Sequence, residues 1–241
     1  MYKNIFQSNK HTNMSITEHL KELRQRLLFV LIFFFVSTTI SGILLKKLTF
    51  ILQLPAIGVK FLQLAPGEFF FVSIKIALYS GIILSCPFIL YQITLFILPG
   101  LKSNEIKVII PIIIGSILLF FFGLIFGYYI IAPTSLKFFI NYGANVVEPI
   151  WSFEQYFNFI LILLFSTALA FQIPILQLLL GLLNIISSQQ MISVWKYVIL
   201  TTTIIAAIIT PSTDPLTQIL LSLAIIILYI YGIGLLKLFH K

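Results

Sequence analysis

The charged side chains of this sequence concentrate in one short stretch, EHLKELRQRLL from Glu18 to Leu28, which holds five of them in nine positions and both arginines of the chain. Only 9% of all residues are charged. Glu22 and Arg26 stand four positions apart, so on a helix their side chains meet and can form an ion pair. The next charge, Lys46, comes only after a long apolar run. The simplest interpretation is a basic anchor, internally paired, at the entrance of that run.

A second carboxylate lies in the polar stretch PGLKSNEIK, where Glu105 stands between Lys102 and Lys107. The Pro99-Gly100 pair is a signal that ends the preceding helix. Glu105 then falls near the start of the next helix, where a negative charge suits the helix dipole. The pattern predicts a short turn between two helices that carries one carboxylate.

A third acidic position is Asp214 in ITPSTDPLTQ. Asp is a preferred N-cap residue, and Pro215 after it suits the first position of a helix. We therefore predict that a helix begins at this point. Gln218, one turn later, adds a further polar group near the same helix end.

Two other polar residues lie within the apolar runs. Charged and amide groups at membrane depth are costly and usually face protein or water. Lys75 lies near enough to the end of its run to extend its ammonium group to the interface. Gln172, in AFQIP, lies too deep for that, so its amide requires a partner.

These polar residues are set in a chain whose composition excludes a water-soluble domain. It is 60% hydrophobic, with a mean hydropathy of +1.10. About 20 consecutive apolar residues span a bilayer as a helix. We predict an all-α, polytopic membrane protein that forms a single domain over 1–241. Residues 1–26 of this domain form a polar tail and an amphipathic helix. Its six transmembrane helices are predicted at about 27–45, 69–98, 108–131, 156–180, 197–210 and 216–236.

The distribution of Lys and Arg predicts the orientation. With the N-terminus in the cytosol or stroma, ten of the 15 basic residues lie inside and five outside, which agrees with the positive-inside rule and places both termini inside. The second predicted span contains Pro87 and should be tilted or kinked. The fifth has only about 14 residues, roughly 21 Å of helix, which is short for a hydrocarbon core of ~30 Å.

The sequence lacks the residues that several classes of function require. The sequence contains no phosphate-binding loop, no HExxH and no GxSxG motif. His11, His19 and His240 lie at the chain ends, so no histidine within a span can ligate haem or a metal. We predict no cofactor, no metal and no enzymatic activity. A secondary transporter of a small solute remains the alternative, although such proteins usually carry polar sites in mid-membrane and an internal repeat.

The motifs together resemble the TatC family, the core subunits of the twin-arginine (Sec-independent) protein translocase, and most closely its plastid and cyanobacterial branch. The resemblance covers Met14 to Leu238. It is carried, in the order of the family, by HLKELRQRLL from His19, PFILYQITLFILPGL from Pro87, LKSNE ending at Glu105, FGYYIIAP from Phe126, FQIP from Phe171 and ITPSTDPLTQ from Ile209.

The resemblance implies a function: binding of signal peptides that bear consecutive arginines, and transport of folded proteins with the proton gradient. The implied signal-peptide site consists of Glu22 and Glu105, with Arg24 and Arg26 holding Glu22 in place. In many relatives a glutamate stands at the position of Gln172. The resemblance also implies a contact with a partner helix, or a part in transport, for Gln172, Asp214 and Gln218.

The resemblance also implies partners and a location. The partners would be small single-span subunits of the TatA and TatB type, precursors with a twin-arginine signal, membrane lipid and further copies of the chain, but no nucleic acid. The expected location is the thylakoid membrane of a plastid, with a bacterial plasma membrane as the alternative.

Overall fold

The structure, a computed structural model, describes residues 16–56, 58–97, 109–143, 148–183, 185–209 and 214–239. The described residues form ten α-helices, one π-helical turn and two short strands. In chain order these are α1 (Ile16–Ile43), α2 (Leu45–Gln53), β1 (Lys60–Leu62), α3 (Glu68–Ile97), α4 (Ile109–Phe126), the π turn (Gly127–Ile131), α5 (Ala132–Gly143), β2 (Ile150–Ser152), α6 (Phe153–Ala170), α7 (Ile173–Leu182), α8 (Ser188–Ser193), α9 (Trp195–Ile209) and α10 (Pro215–Phe239).

Within the described ranges, five helical segments are long and apolar enough to cross a membrane. They are α1, α3, α4 continued through α5, α6 together with α7, and α10. The chain is therefore an all-α, integral multi-pass membrane protein, as predicted. The remaining predicted span corresponds to α9, whose 15 residues extend about 22 Å. Because α9 is shorter than the others, a sixth crossing stays a prediction.

The third apolar segment is longer than its predicted end at residue 131. Helical structure continues from Ile109 through the π turn to Gly143. Pro133 explains the π turn, because a proline inside a helix lacks an N–H and its ring clashes with the carbonyl four residues earlier. That carbonyl belongs to Tyr129, inside the wider turn. The extra residue in the turn lets the helix pass Pro133 instead of ending there.

The fourth apolar segment is broken, which hydropathy does not predict. Helix α6 ends at Ala170, and α7 begins at Ile173 with Pro174 in its first turn. Proline tolerates that position because the first N–H groups of a helix have no intrahelical partner. The break places Gln172 at the N-cap of α7.

Helix α1 packs mainly against α3, through small side chains. The buried small residues are Ser37 and Ser41 on α1 and Ser80 and Ser85 on α3. At Gly81 the helices are so close that an added Cβ would lie 2.8 Å from the Cα of Thr38. Such contacts are typical of helix pairs in membranes. Because the helices are antiparallel, the beginning of α1 lies beside the end of α3.

Helix α6 is the central helix of the bundle, in contact with α3, α4, α5 and α9. Its buried side chains include Phe157, Ile160 and Leu161, which form the main apolar cluster with residues of the surrounding helices. The hydroxyl group of Tyr156 donates to the carbonyl oxygen of Leu52, 2.6 Å away, and thereby ties α6 to the end of α2.

A small cap closes the end of the bundle at which α3 and α6 begin. Strands β1 and β2 pair in parallel there, with Phe61 opposite Trp151. The buried carboxylate of Glu68 accepts from the backbone N–H of Leu64 at 2.6 Å and of Glu154 at 2.7 Å. Glu68 therefore joins the segment after β1 to the start of α6, a role that the sequence did not reveal.

Candidate functional site

Glu22 lies at the junction of α1 and α3, where Arg26 holds it. Arg26 donates from Nε (2.9 Å) and from Nη2 to the same carboxylate oxygen, Oε1 of Glu22. Its Nη1 donates to Oε1 of Gln92 on α3, also at 2.9 Å. The side chains of Arg26 and Glu22 are both half-buried. The ion pair predicted from the spacing is present, and α3 supplies a second acceptor for Arg26.

The other carboxylate oxygen of Glu22, Oε2, is shielded from solvent and receives no hydrogen bond from the residues that the structure describes. The imidazole of His19 lies beside it, with Nδ1 3.8 Å away. His19 in turn stacks on the ring of Phe96 at the end of α3, with centroids 4.2 Å apart and planes inclined by 14°. A buried carboxylate oxygen without a donor is unfavourable, so Oε2 is an acceptor that a ligand can satisfy.

Arg24 does not hold Glu22, contrary to prediction. Its side chain is exposed, and within the described ranges the ion pair of Glu22 with an arginine is the one to Arg26. The reason is the helical period, because residues two positions apart do not face each other, whereas residues four apart do. The charge of Arg24 is directed to solvent.

Glu105, the second predicted carboxylate, lies outside the described residues, between Ile97 and Ile109. Its nearness to Glu22 therefore stays a prediction. The chain positions that flank this segment are the end of α3 and the start of α4.

Gln172 is buried, with 7% of its surface exposed. Its Nε2 donates to the carbonyl oxygen of Ser116 on α4 at 3.0 Å, so the partner that the amide requires lies, for its donor, within the chain. Its Oε1 is buried and receives no hydrogen bond from the described residues. The amide is thus fixed by α4 on one side, with its acceptor left open.

A second buried amide, that of Gln177 on α7, was not predicted from the sequence. Neither its Nε2 nor its Oε1 has a hydrogen-bond partner among the residues that the structure describes. Gln177 packs against Gly232 of α10, and one turn further Gly181 of α7 receives the side chain of Leu236. Because both contacts advance in the same direction by four residues, α7 and α10 run parallel. A polar residue on an otherwise apolar helix was the signal that could have identified this position.

Asp214 caps α10, as predicted. Its Oδ2 accepts from the backbone N–H of Thr217 at 2.9 Å, and its Oδ1 accepts from the hydroxyl groups of Thr217 and, at 3.0 Å, Ser135 on α5. Only 1% of Asp214 is exposed. The carboxylate therefore links two helices as well as starting one, and its part in a partner-helix contact or in transport stays a prediction.

Gln218 connects α10 to the preceding helix. Its Nε2 donates to the carbonyl oxygen of Thr203 on α9 at 3.2 Å. The side chain is half-buried. The bond fixes the register of α9 on α10, while part of the amide stays accessible from outside the bundle.

Lys75 has a partner that the sequence did not reveal. Its ammonium group donates to Oε1 of Glu154 at 2.7 Å and to Oδ1 of Asn158 at 3.0 Å. Lys75 thus forms an ion pair between α3 and α6, which has more than a third of each side chain exposed, and its extension to the interface stays a prediction. Its role is to join the two helices near the cap.

The chemistry available at these positions is non-covalent recognition. Within the described ranges no group of three or more His, Cys, Asp or Glu side chains is arranged to hold a metal ion. Cys86 is buried and carries a free thiol. Among the described residues, Glu22 is a charged group with an open acceptor, and a guanidinium or ammonium donor is the ligand that suits it.

Comparison with known proteins agrees with this arrangement. A family profile described as "Sec-independent protein translocase protein (TatC)" matches residues 18–223. The "Uncharacterized tatC-like protein ycf43" of Gracilaria tenuistipitata var. liui is 61% identical over 97% of this chain and 98% of its own length. The "Sec-independent protein translocase protein TatC" of Synechocystis sp. is 54% identical over 95% of this chain and 90% of its own length.

A solved structure and a plant relative extend the comparison. The structure titled "Crystal Structure of Twin Arginine Translocase Receptor- TatC" superimposes with a TM-score of 0.81 and 37% identity, covering 93% of this chain and all of the other. The chloroplastic protein of Pisum sativum is 48% identical over 93% of this chain and 64% of its own length. These comparisons give no support to the alternative of a small-solute transporter.

Proposed function

The chain belongs to the TatC family of Sec-independent protein translocase proteins, and from this premise we propose that it is the receptor and core subunit of a twin-arginine translocase. It binds signal peptides that carry two consecutive arginines and takes part in transporting folded proteins across the membrane with the proton gradient. The solved structure to which it is similar is titled a twin-arginine translocase receptor, which supports this proposal.

The observation that carries the proposal is the state of Glu22. Its carboxylate lies at the end of the α1–α3 pair, half-buried, and Oε2 accepts no hydrogen bond from any described part of the chain. A guanidinium group on a carboxylate makes a strong, charge-assisted hydrogen bond, particularly where the site is partly removed from water. One arginine of the signal would donate to Oε2 of Glu22.

Glu105 is proposed as the acceptor of the other arginine. It follows α3 in the chain and lies between two lysines, so a carboxylate there stands out on a basic face. Two carboxylates on one face match two guanidinium groups, whereas either alone leaves one arginine without a partner.

Crosslinking of a twin-arginine precursor to the assembled complex in membranes tests the proposal. Glu22→Gln and Glu105→Gln should each reduce the yield sharply, since losing a charge-assisted bond typically costs about 1.5–3 kcal/mol. Glu18→Gln is the matched control, because Glu18 is an exposed carboxylate one turn earlier on α1. If the parent protein captured a twin-lysine precursor equally well, or the double variant captured as much as the parent, the proposed site would be wrong.

We also propose the orientation and the partners. Six spans with both termini on the stromal or cytosolic side place the Glu22 end of the bundle where precursors arrive. Small single-span Tat subunits would contact the bundle at α9 and α10, near Gln218, and further copies of the chain would join it in the complex. The chloroplastic relative from Pisum sativum supports a thylakoid membrane as the location.

A further inference from the structure

Helix α2 crosses the end of the bundle that lies opposite Glu22. It follows α1 directly, and two tyrosines of other helices hold its last turn. The hydroxyl group of Tyr128, in the π turn after α4, donates to the carbonyl oxygen of Ile51 at 2.7 Å. The hydroxyl group of Tyr156, near the start of α6, donates to the carbonyl oxygen of Leu52 at 2.6 Å. Both ends of α2 are therefore fixed to the ends of other helices.

The depth of α2 in the membrane follows from the lengths of the helices that it joins. From Arg26, the last charge before the apolar run, α1 continues for about 26 Å to Ile43. From Ile109, where α4 begins, the helix extends about 28 Å to Tyr128. Both lengths are close to the ~30 Å of a hydrocarbon core, so the two ends of α2 lie at the same boundary of that core. Helix α2 therefore lies along the membrane surface.

The two sides of α2 have different surroundings. One side packs into the main apolar cluster through the leucines Leu45, Leu48 and Leu52. The opposite side carries Lys46, Phe50 and Leu54, which stand four positions apart and so form one row on the helix. Of this row, 63% of Phe50 and 48% of Leu54 are exposed. This row together with Lys47 is called the lysine face of α2, and it combines two positive charges with exposed apolar side chains.

The charges of Lys46 and Lys47 are not used by the described fold. Both side chains are exposed, and neither forms an ion pair with the residues that the structure describes. They lie in the first turn of α2, which contains no acidic residue, although the helix dipole disfavours cations there. They also lie at the end opposite the basic stretch of α1, so the positive-inside rule does not account for them. An anion from outside the chain is the partner that suits them.

We propose that the lysine face of α2 binds lipids with an anionic headgroup, a phosphate or a sulfonate, in the leaflet at this end of the bundle. Such a lipid places a negative charge directly above apolar chains, which matches two lysines beside exposed apolar side chains. A lysine lays its methylene groups along the apolar surface while its ammonium group reaches the headgroup. A second copy of the chain fits less well, because a symmetric contact would bring the lysine pairs of both copies together.

Quenching of tryptophan fluorescence in vesicles tests this inference. Phe50→Trp is introduced into the full-length chain after Trp151 and Trp195 have been replaced by Phe, and a melting temperature establishes that the protein is folded. The vesicles contain phosphatidylcholine and phosphatidylglycerol, with bromine on the acyl chains of one lipid or the other. Quenching should show a preference for phosphatidylglycerol, with an association constant higher by up to about fivefold for each lysine. A sulfonate-bearing glycolipid in place of phosphatidylglycerol should be preferred likewise.

A matched pair of double variants separates the lysine face from the general charge of this end. Lys46→Gln with Lys47→Gln should remove the preference for the anionic lipid. Lys60→Gln with Lys137→Gln removes the same charge from exposed positions on β1 and α5 and should leave the preference unchanged. Where Phe50→Trp does not fold, Leu54→Trp reports from one turn further along the same row.

Three results would overturn the inference. Absence of quenching by either lipid would mean that protein or water, and not lipid, covers the lysine face. Equal quenching by the two lipids, or equal loss of the preference in both double variants, would mean that Lys46 and Lys47 select no headgroup. A preference that disappears when free glycerol phosphate is added would assign these lysines to a soluble anion.

Discussion

At the scale of single residues, the buried polar side chains divide into those with all their hydrogen bonds made and those with open groups. Glu68 and Asp214 belong to the first kind, each accepting several donors. Gln172 has an open acceptor, and Gln177 has both amide groups open. A buried polar group without a hydrogen bond lowers the free energy of unfolding, because it has lost its contacts with water and has gained no partner in the protein.

The two glutamines allow a matched test of that difference. Gln177→Met removes two unpaired groups and should raise the free energy of unfolding by ~1–3 kcal/mol. Gln172→Met loses the bond to the Ser116 carbonyl together with an unpaired oxygen, so its effect should be close to zero. Thermal unfolding in mild detergent measures both. Equal destabilisation by the two substitutions would mean that both amides are satisfied in the membrane, for example by water.

Asp214 provides the opposite case, because its bonds are complete. Asp214→Ala should lower the free energy of unfolding by about 1–2 kcal/mol for the lost cap, with a further loss because the hydrogen bond from the hydroxyl group of Ser135 is removed. Asp214→Asn keeps one acceptor oxygen and should lose less. A difference between parent and Asp214→Ala below about 0.5 kcal/mol, the range of ordinary surface substitutions, would contradict the linking role.

The polar contacts that were predictable from sequence are the local ones. The cap at Asp214 and the pair of Glu22 with Arg26 depend on residues three or four positions apart. The partners of Lys75 and Gln172 lie 79 and 56 positions away along the chain. No local pattern contains such distant partners, because they meet only after the helices have packed.

At the scale of helices and strands, hydropathy located the apolar segments but not their internal structure. It records how apolar a segment is, while breaks depend on individual backbone hydrogen bonds. The break between α6 and α7 beside Pro174, and the π turn before Pro133, are such events. The strands β1 and β2 have three residues each, too few to give an alternating pattern in the sequence.

The close contact of α1 with α3 gives a prediction at this scale. Gly81→Ala places a methyl group against the backbone of Thr38, and backbone cannot move aside as a side chain can. The helices should separate, with a loss of 1–3 kcal/mol typical of overpacking and weaker twin-arginine binding, because Glu22 and Gln92 lie on the two helices. Gly42→Ala is the control, since an added Cβ there meets no atom within 4 Å. Unchanged melting and binding of Gly81→Ala would show that the two helices tolerate a wider spacing.

At the scale of the whole molecule, the two ends of the bundle differ in kind. The end at which α3 and α6 begin is closed by the strand pair and Glu68. The end at which α1 begins carries an ion pair with an open carboxylate oxygen. Among the described residues, α9 is an apolar helix shorter than the five segments that are long enough to cross a membrane, and Gln218 fixes its register on α10. Signal-peptide binding at one end of the bundle and the short length of α9 between the ends can therefore be changed independently.

The short α9 leads to a prediction about transport. Its 15 residues extend about 22 Å, against ~30 Å for a hydrocarbon core, so a membrane that meets α9 is thinned locally at a modest cost per ångström. Four leucines inserted after Val198 add about 6 Å and leave the contact of Thr203 with Gln218 on its own side of the insertion.

That insertion should leave the binding of a twin-arginine precursor unchanged, because binding depends on Glu22, far from α9 along the chain. It should abolish transport, because a full-length helix no longer holds the membrane thin. A four-residue insertion after Asn145, between α5 and β2, adds the same number of residues and leaves α9 as it is, so it serves as the control. Binding is followed by crosslinking and transport by protection of the precursor from protease in the same membranes. If the lengthened α9 supported full transport, thinning would have no part in the mechanism, and the short helix would matter only for its packing on α10.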